Sequence, residues 1–369
     1  MTDFLNDTEQ ALCDSLSRWL TDHIDPSNWA RKDPESASTT PAQLWPRLLH
    51  DLELLELEGG LRMHLRVLWA LGPWLFAEPY LTSGLIAQTA LGAGHGAKVM
   101  EWQSSWRQGK IRLAWADAEP GHRLQRHTHN TKLRTVEGTR LLEGRKSFVQ
   151  GAQNATHFLI SAQSSEHGLT WVWLNAQTPG IHRRDVPGLD GQELSEVHFD
   201  QVEISDDDIL CQGLSAANLQ DRLHEEATLG VCAEAVGLMQ RMMQDTLEHV
   251  RQRQQFGQPL ASFQVVQHRL ADMHLALAQA QALIWAVSDS LAAQESSTEE
   301  RALAVSSCKV CIGRALRAIG QGAVQLHGAM GVTEELYVAR CFRRATQIEL
   351  LFGQTGQHLR RMDQLLFNA

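Results

Sequence analysis

The feature that most limits the fold of this chain is a block of short β-rich runs set between two long helical stretches. Ile111–Ala116, Lys132–Val136, Thr156–Ala162, Leu169–Leu174 and Glu196–Ile204 are rich in aliphatic, aromatic and β-branched residues. Gly, Asn, Asp and Pro separate them, as expected of strands joined by turns. The sequence predicts tight turns at Glu137–Arg140 and Glu143–Lys146, with others at Pro179-Gly180 and Pro187-Gly188. Before the block, Leu5, Leu12, Leu16 and Leu20 recur at helical spacing, and Leu75–Tyr80 leads into a second helical run, Leu85–Leu91. Pro26, Pro34, Pro41 and Pro46 punctuate the first connections. After the block, Leu229, Cys232, Val236, Met239, Met243, Leu247 and Val250 trace one face of a long helix, and another runs from Phe263 to about Leu291. Gln294–Glu300 reads as a turn with a Ser/Thr-x-x-Glu start into the next helix. At 369 residues the chain is too long for one ordinary core. The pattern predicts an α+β, mainly α chain: a helical domain over 1–109, a β domain over 110–213 and a helical domain over 214–369.

Charge and cysteine content narrow the function. A net charge of −10 argues against nucleic acid as the main partner, since phosphate binding wants a basic face. It leaves room for an anionic small molecule in a locally basic pocket. No run of about 18 apolar residues stands out, so no membrane span is expected, and the acidic N-terminus does not read as a signal peptide. Six scattered cysteines are too few for a disulfide framework in such a chain, which predicts a cytoplasmic protein. Cys308 and Cys311 form a CxxC within a helical stretch, without a second pair for zinc, and are expected to pack in the core. His127 and His129 are only two ligands in a polar loop, so no metal is expected. Trp171, Trp173 and Trp285 are expected to serve packing.

Three stretches near the C-terminus are more specific. The first is Arg253-Gln254-Gln255-Phe256-Gly257, followed by Phe263-Gln264, Gln267 and Leu270-Ala271-Asp272-Met273. The second is Gln325-Leu326-His327-Gly328-Ala329, and the third closes with Arg343-Arg344 and Phe352-Gly353. Together they resemble the C-terminal helical domain of acyl-CoA dehydrogenases. The wording around Cys232–Gln240 resembles the small subunits described as pimeloyl-CoA dehydrogenase-like. The resemblance implies an acyl-CoA dehydrogenase-like fold: an N-terminal helical domain, a middle β-barrel-like domain and a C-terminal four-helix bundle. It implies FAD as cofactor, an acyl-CoA thioester as substrate and an electron-transfer flavoprotein or similar acceptor as partner. It implies a homodimer or tetramer, or a heterotetramer with a paralogous subunit. The acyl group would be dicarboxylic, a steroid side chain or otherwise bulky.

Site residues follow from the same resemblance. Arg253 matches an arginine that approaches the FAD pyrophosphate across a subunit interface, and Phe256 an aromatic that packs on the cofactor; a guanidinium suits a phosphate. Gln264 matches a cofactor-contacting glutamine, and Gln325, Gly328 and Ala329 match the loop at the adenosine half. Ala118-Glu119-Pro120-Gly121 stands where the family shows Thr-Glu-Pro followed by Gly-Ser-Asp, a second half that residues 122–127 do not match, and Lys146-Ser147-Phe148-Val149-Gln150 stands where it shows Lys-x-Trp-Ile-Thr. Phe148 and Gln150 are thus expected at the flavin ring.

The catalytic base is missing from both of its usual places. One family position is 27 residues after the loop glutamine, which here is Phe352; the other is 13 residues before Gln240, which here is Ala227. The nearest carboxylate to Phe352 is Glu349, expected to point elsewhere. Near Ala227 stand Glu225 and Glu226, and Glu234 lies two turns along the same helix face. Three readings follow: a complete enzyme with Glu226 or Glu234 as displaced base, one half of a heteromer whose paralogue supplies the glutamate, or an inactive binding or scaffold subunit.

Overall fold

The computed structural model describes residues 6–24, 41–76, 80–121, 129–293 and 296–367. Pro26, Pro34, His127 and the Glu78-Pro79 pair lie outside these residues. Elements run in the order helical, β, helical. The chain divides into two compact units, residues 45–56 with 77–227, and residues 1–44 with 57–76 and 228–369.

The first unit is built on a sheet. Its strands are β1 (Leu113–Ala116), β2 (Lys132–Val136), β3 (Thr139–Gln150), β4 (His157–Ser164), β5 (Gly168–Asn175), β6 (Ile181–Pro187), β7 (Glu193–Ile204) and β8 (Ile209–Gln212). Among the described residues their order is β6-β7-β3-β2-β4-β5-β8, with β1 parallel to β4. On β7, inward Val197, Phe199, Val202 and Ile204 alternate with exposed residues, the mark of a strand with one solvated face. Phe158–Ala162 and Trp171–Leu174 are buried without alternation, because both faces of β4 and β5 are covered. Trp173 stacks on Trp102 of α5 (Ala97–Arg107) at 5.6 Å, and Trp171 Nε1 donates to the Ala216 carbonyl at 3.1 Å.

Two expectations change here. Glu143–Lys146 is not a turn but lies inside β3, at a bulge opposite β7. Gly144 sits there at φ 153°, and a Cβ on it would come within 2.6 Å of the Thr131 Cα. The glycine therefore serves close strand approach, which sequence cannot distinguish from a turn glycine. Pro46 does not break a connection but lies within α2 (Pro41–Leu52). Burial of Leu44, Trp45, Leu48 and Leu49 along one stripe outweighs the backbone hydrogen bond that the proline removes.

The second unit is helical. It holds α1 (Asp7–His23), α3 (Gly60–Leu71), α7 (Gln264–Ala292), α8 (Thr298–His327), α9 (Tyr337–Leu350), α10 (Thr355–Phe367) and the later part of α6 (Gly213–Gln252). Ser297 and Glu300 form the capping box expected at the start of α8, through Ser297 N to Glu300 Oε2 at 2.7 Å and Glu300 N to Ser297 Oγ at 3.2 Å. Val305, Cys308, Ile312, Leu316 and Ile319 give α8 its buried face, so Cys308 packs in the core while Cys311 is half-buried. All six cysteines are free thiols. At Gly237 of α6 a Cβ would lie 2.0 Å from the Trp69 carbonyl oxygen, so only glycine permits the approach to α3. Helix α7 is long and apolar enough to cross a membrane by length and composition alone, a test that core helices of other proteins also pass. Val265 and Leu275 stand exposed on it.

Candidate active site

The carboxylates put forward as bases are all engaged. Glu226 of α6 is buried, receives Arg222 Nε at 2.8 Å and accepts a hydrogen bond from the Thr89 hydroxyl. Glu225 beside it is buried as well. Glu234 is forked by Arg344 of α9, whose Nε and Nη2 lie 2.6 and 2.8 Å from its two oxygens. That bidentate geometry is the strong form of an ion pair and holds the carboxylate as an acceptor. Glu349 accepts the backbone N–H of Thr355 at 3.0 Å, capping the start of α10.

Two phenylalanines at expected cofactor positions, Phe148 and Phe256, share an uncommon backbone with Phe352, which stands at an expected base position. Phe148, Phe256 and Phe352 have φ of 57°, 54° and 54°, in the left-handed region that disfavours bulky residues. Phe256 and Gly257 make the turn between β9 (Gln254–Gln255) and β10 (Gln258–Pro259), which presents Phe256 with 91% of its surface exposed. Phe148 is 44% exposed at the second bulge of β3. Such strain tends to collect at functional sites. Behind Phe352, Gly353 has φ 105°, and His358 Nε2 donates to the Phe352 carbonyl at 3.0 Å while Ser306 donates to His358 Nδ1 at 3.2 Å.

Five of the remaining expected cofactor residues lie at or just beyond helix ends of the helical unit. Arg253 is exposed just past α6, its backbone N–H bonded to the His249 carbonyl at 2.8 Å. Gln264 opens α7 and is exposed. Gln325 lies in the last turn of α8, with Gly328 (φ 66°) and Ala329 in the exposed loop beyond it. The rings of His249 and His327 stack at 4.2 Å, joining the end of α6 to the end of α8. Gln150, half-buried, ends β3 in the β unit.

Sequence reasoning missed a buried polar cluster in the β unit. Asp117, just past β1, accepts His224 Nε2 at 2.7 Å, Gln220 Nε2 at 3.2 Å and the Ser161 hydroxyl. Lys146, fully buried, donates to the Asp117 carbonyl at 3.1 Å, to Ser161 Oγ at 3.0 Å and to Glu119 Oε1 at 2.8 Å. Glu119 also accepts the Thr131 backbone N–H at 2.9 Å. The Trp115 ring meets His224 edge-on at 5.0 Å. Burial pushes Asp117 up, but the His224 hydrogen bond and charge, with Lys146 and Ser161 behind them, outweigh it and hold the carboxyl far below its usual range. Burial pushes the Lys146 ammonium down, against the pull of Asp117 and Glu119. The signal that was available is an aspartate directly after the apolar run Leu113–Ala116.

Comparison with known proteins places this geometry. Residues 213–366 match the family model described as acyl-CoA dehydrogenase, C-terminal domain, and residues 113–202 match the acyl-CoA dehydrogenase middle domain. The chain belongs to the acyl-CoA dehydrogenase family. The human mitochondrial short-chain specific acyl-CoA dehydrogenase is 26% identical over 259 residues, 68% of this chain and 62% of that protein. The chain thus spans somewhat less than two thirds of that relative's length. Among solved structures, the ChsE4-ChsE5 complex from Mycobacterium tuberculosis superimposes with a TM-score of 0.88 at 22% identity, covering 99% of this chain and 98% of that one. A glutaryl-CoA dehydrogenase from Mycobacterium smegmatis in complex with FADH2 gives 0.88 at 20% identity, covering 100% and 97%. These likenesses establish the acyl-CoA dehydrogenase fold anticipated from the sequence. In this chain Glu226 and Glu234 are each tied to an arginine.

Proposed function

We infer that this chain is a subunit of an FAD-dependent acyl-CoA dehydrogenase that carries out α,β-dehydrogenation of an acyl-CoA thioester, working as a heteromer with a paralogous chain that brings the glutamate base. The observation that carries the heteromeric reading is the state of the carboxylates. A general base needs a lone pair within reach of the proton it takes. Glu234 spends both oxygens on Arg344, and Glu226 meets Arg222 and Thr89.

The residues present suit FAD. Exposed Arg253 offers a guanidinium to the pyrophosphate, and Phe256 projects from its strained turn as an aromatic that a flat cofactor would cover. Gln264 would contact the cofactor, with Gln325, Gly328 and Ala329 at the adenosine half. Phe148 and Gln150 would meet the flavin ring, the latter through its amide hydrogen bonds. Bound FAD supplies the acceptor for a hydride from the acyl β-carbon. The protein's own part is to orient the thioester, exclude water and take the α-proton. Electrons would pass on to an electron-transfer flavoprotein or similar acceptor. The pimeloyl-CoA dehydrogenase-like wording favours dicarboxylic, steroid side-chain or otherwise bulky acyl groups, oxidised in the cytoplasm.

Exposed apolar side chains support an oligomer. Phe256, Val265, Leu275, Met330 and Val332 all stand exposed in the helical unit. Such side chains are available to be covered by a second chain. The test is expression alone and with a longer paralogue that keeps its glutamate. The expected result is a yellow protein, bleached by an acyl-CoA, only on co-expression. Full turnover by the isolated chain, lost on Glu226→Gln, would overturn the heteromeric reading. Failure to bind FAD with or without a partner would leave the scaffold subunit as the function.

A further inference from the structure

We propose that the stacked His249–His327 pair takes up one proton when the diphosphate of FAD binds beside Arg253, so that cofactor retention strengthens as the pH falls. This rests on the reading that the chain contributes Arg253 and the Gly328 loop to an FAD site. The first support is position. The Arg253 N–H bonds the His249 carbonyl at 2.8 Å, which carries the helical turn past the end of α6 and sets both residues on one face. His327 is the last residue of α8 and directly precedes Gly328, whose N–H bonds the Gln325 carbonyl. The 4.2 Å stack therefore joins the two helix ends that carry the phosphate and adenosine contacts of the proposed site.

The second support is charge. Helices α6 and α8 both end here, and the free carbonyls of two helix C-termini repel an anion. Against them stands the Arg253 guanidinium, exposed and without an ion pair among the described residues. An imidazolium is favoured at a helix C-terminus and would add a second positive charge beside the guanidinium. The ring chemistry permits this. His327 Nδ1 lies 2.8 Å from the Ala323 carbonyl, which can only accept, so Nδ1 carries a proton and Nε2 keeps a lone pair. Both rings are half-buried, with 26° between their planes. Two imidazoliums at that separation would repel each other, which limits the pair to one proton.

In the free protein the balance is against the charge. Burial first, and then the charges of His327 and Arg253, push His249 below 6.5. A diphosphate beside Arg253 offsets that guanidinium and draws the imidazole back up. The gain in affinity is therefore full below the free protein's value and is lost as the pH rises through the bound one. The other charged groups at the pair lie on α6. Asp245 acts on His327 and is paired with Arg241 at 2.8 Å, and Glu248 acts on Asp245 in turn.

The experiment takes the co-expressed heteromer, strips its FAD and titrates FAD back. Calorimetry near pH 6.5 in two buffers of different ionisation enthalpy counts the protons taken up. Flavin fluorescence gives Kd from about pH 5.5 to 8, and 13C-histidine NMR follows His249, assigned by its loss in His249→Phe. Three results are expected: a net uptake approaching one proton, a Kd about tenfold lower at the acid end, and a His249 midpoint about one unit higher with FAD bound. His249→Phe with His327→Phe keeps an aromatic stack without titrating nitrogens, and should abolish the uptake and flatten the pH dependence. A pair that merely packs two helix ends would bind FAD with no uptake and an unmoved midpoint, which overturns the proposal alone. Equal uptake in the double variant overturns it too, as does uptake on adding CoA to the FAD-loaded protein rather than on adding FAD. A heteromer that binds no FAD at any pH overturns the cofactor reading and this proposal with it.

Discussion

Replacing Arg344 with methionine strips the guanidinium from Glu234 while keeping most of the side-chain volume. The two side chains are 10% and 14% exposed, so little solvent reaches the carboxylate left behind. Breaking a buried pair from one side costs about 3–5 kcal/mol, and the residual exposure here points to the lower end, about 3 kcal/mol. That corresponds to roughly a hundredfold loss in the ratio of folded to unfolded protein. Glu234→Gln should cost less, about 1–2 kcal/mol, because the amide oxygen still accepts from Arg344. The double change Glu234→Leu with Arg344→Met should recover most of the loss, since it removes both charges at once. Urea unfolding of the four proteins compares these costs directly. If Arg344→Met falls within about 0.5 kcal/mol of wild type, or the double variant is no better than the single one, Glu234 is not a structural carboxylate and returns as a base candidate.

Two further outcomes follow from the same geometry. Burial first, and then the Lys98 charge, push His157 down to about 4 from 6.5. The folded state therefore favours neutral imidazole, and stability present above pH 6.5 is lost as the pH falls toward 4, where the unfolded chain binds the proton first. His157→Gln should flatten the pH dependence of unfolding over that interval, and an unchanged slope would count against it. Phe256→Ser with Arg253→Met should weaken FAD retention by about tenfold or more, read by flavin fluorescence on dilution, with the unfolding midpoint unmoved. Phe256 is almost wholly exposed, so a loss of folding stability instead would show that the turn is structural.

The alternation of elements was legible because periodicity is local. The capping box at Ser297 and Glu300, the core placement of Cys308, and the strands at 132–136 and 157–164 were all visible as patterns within a few residues. Gly144 and Pro46 misled because a glycine at a bulge and a proline within a buried helix look, in one dimension, like breaks. The strand over 181–187 went unnoticed, since its exposed polar residues lack an apolar alternation.

What the sequence determined by itself was the family, because its motifs follow from residue identity and spacing. What only the tertiary structure decided was how the remaining ionisable groups are used. Glu234 and Arg344 are separated by more than a hundred residues, as are Asp117 and His224, yet each pair closes to hydrogen-bond distance. Whether a carboxylate is spent on an arginine or orients an imidazole depends on distance and burial in space, and residue spacing along the chain carries neither.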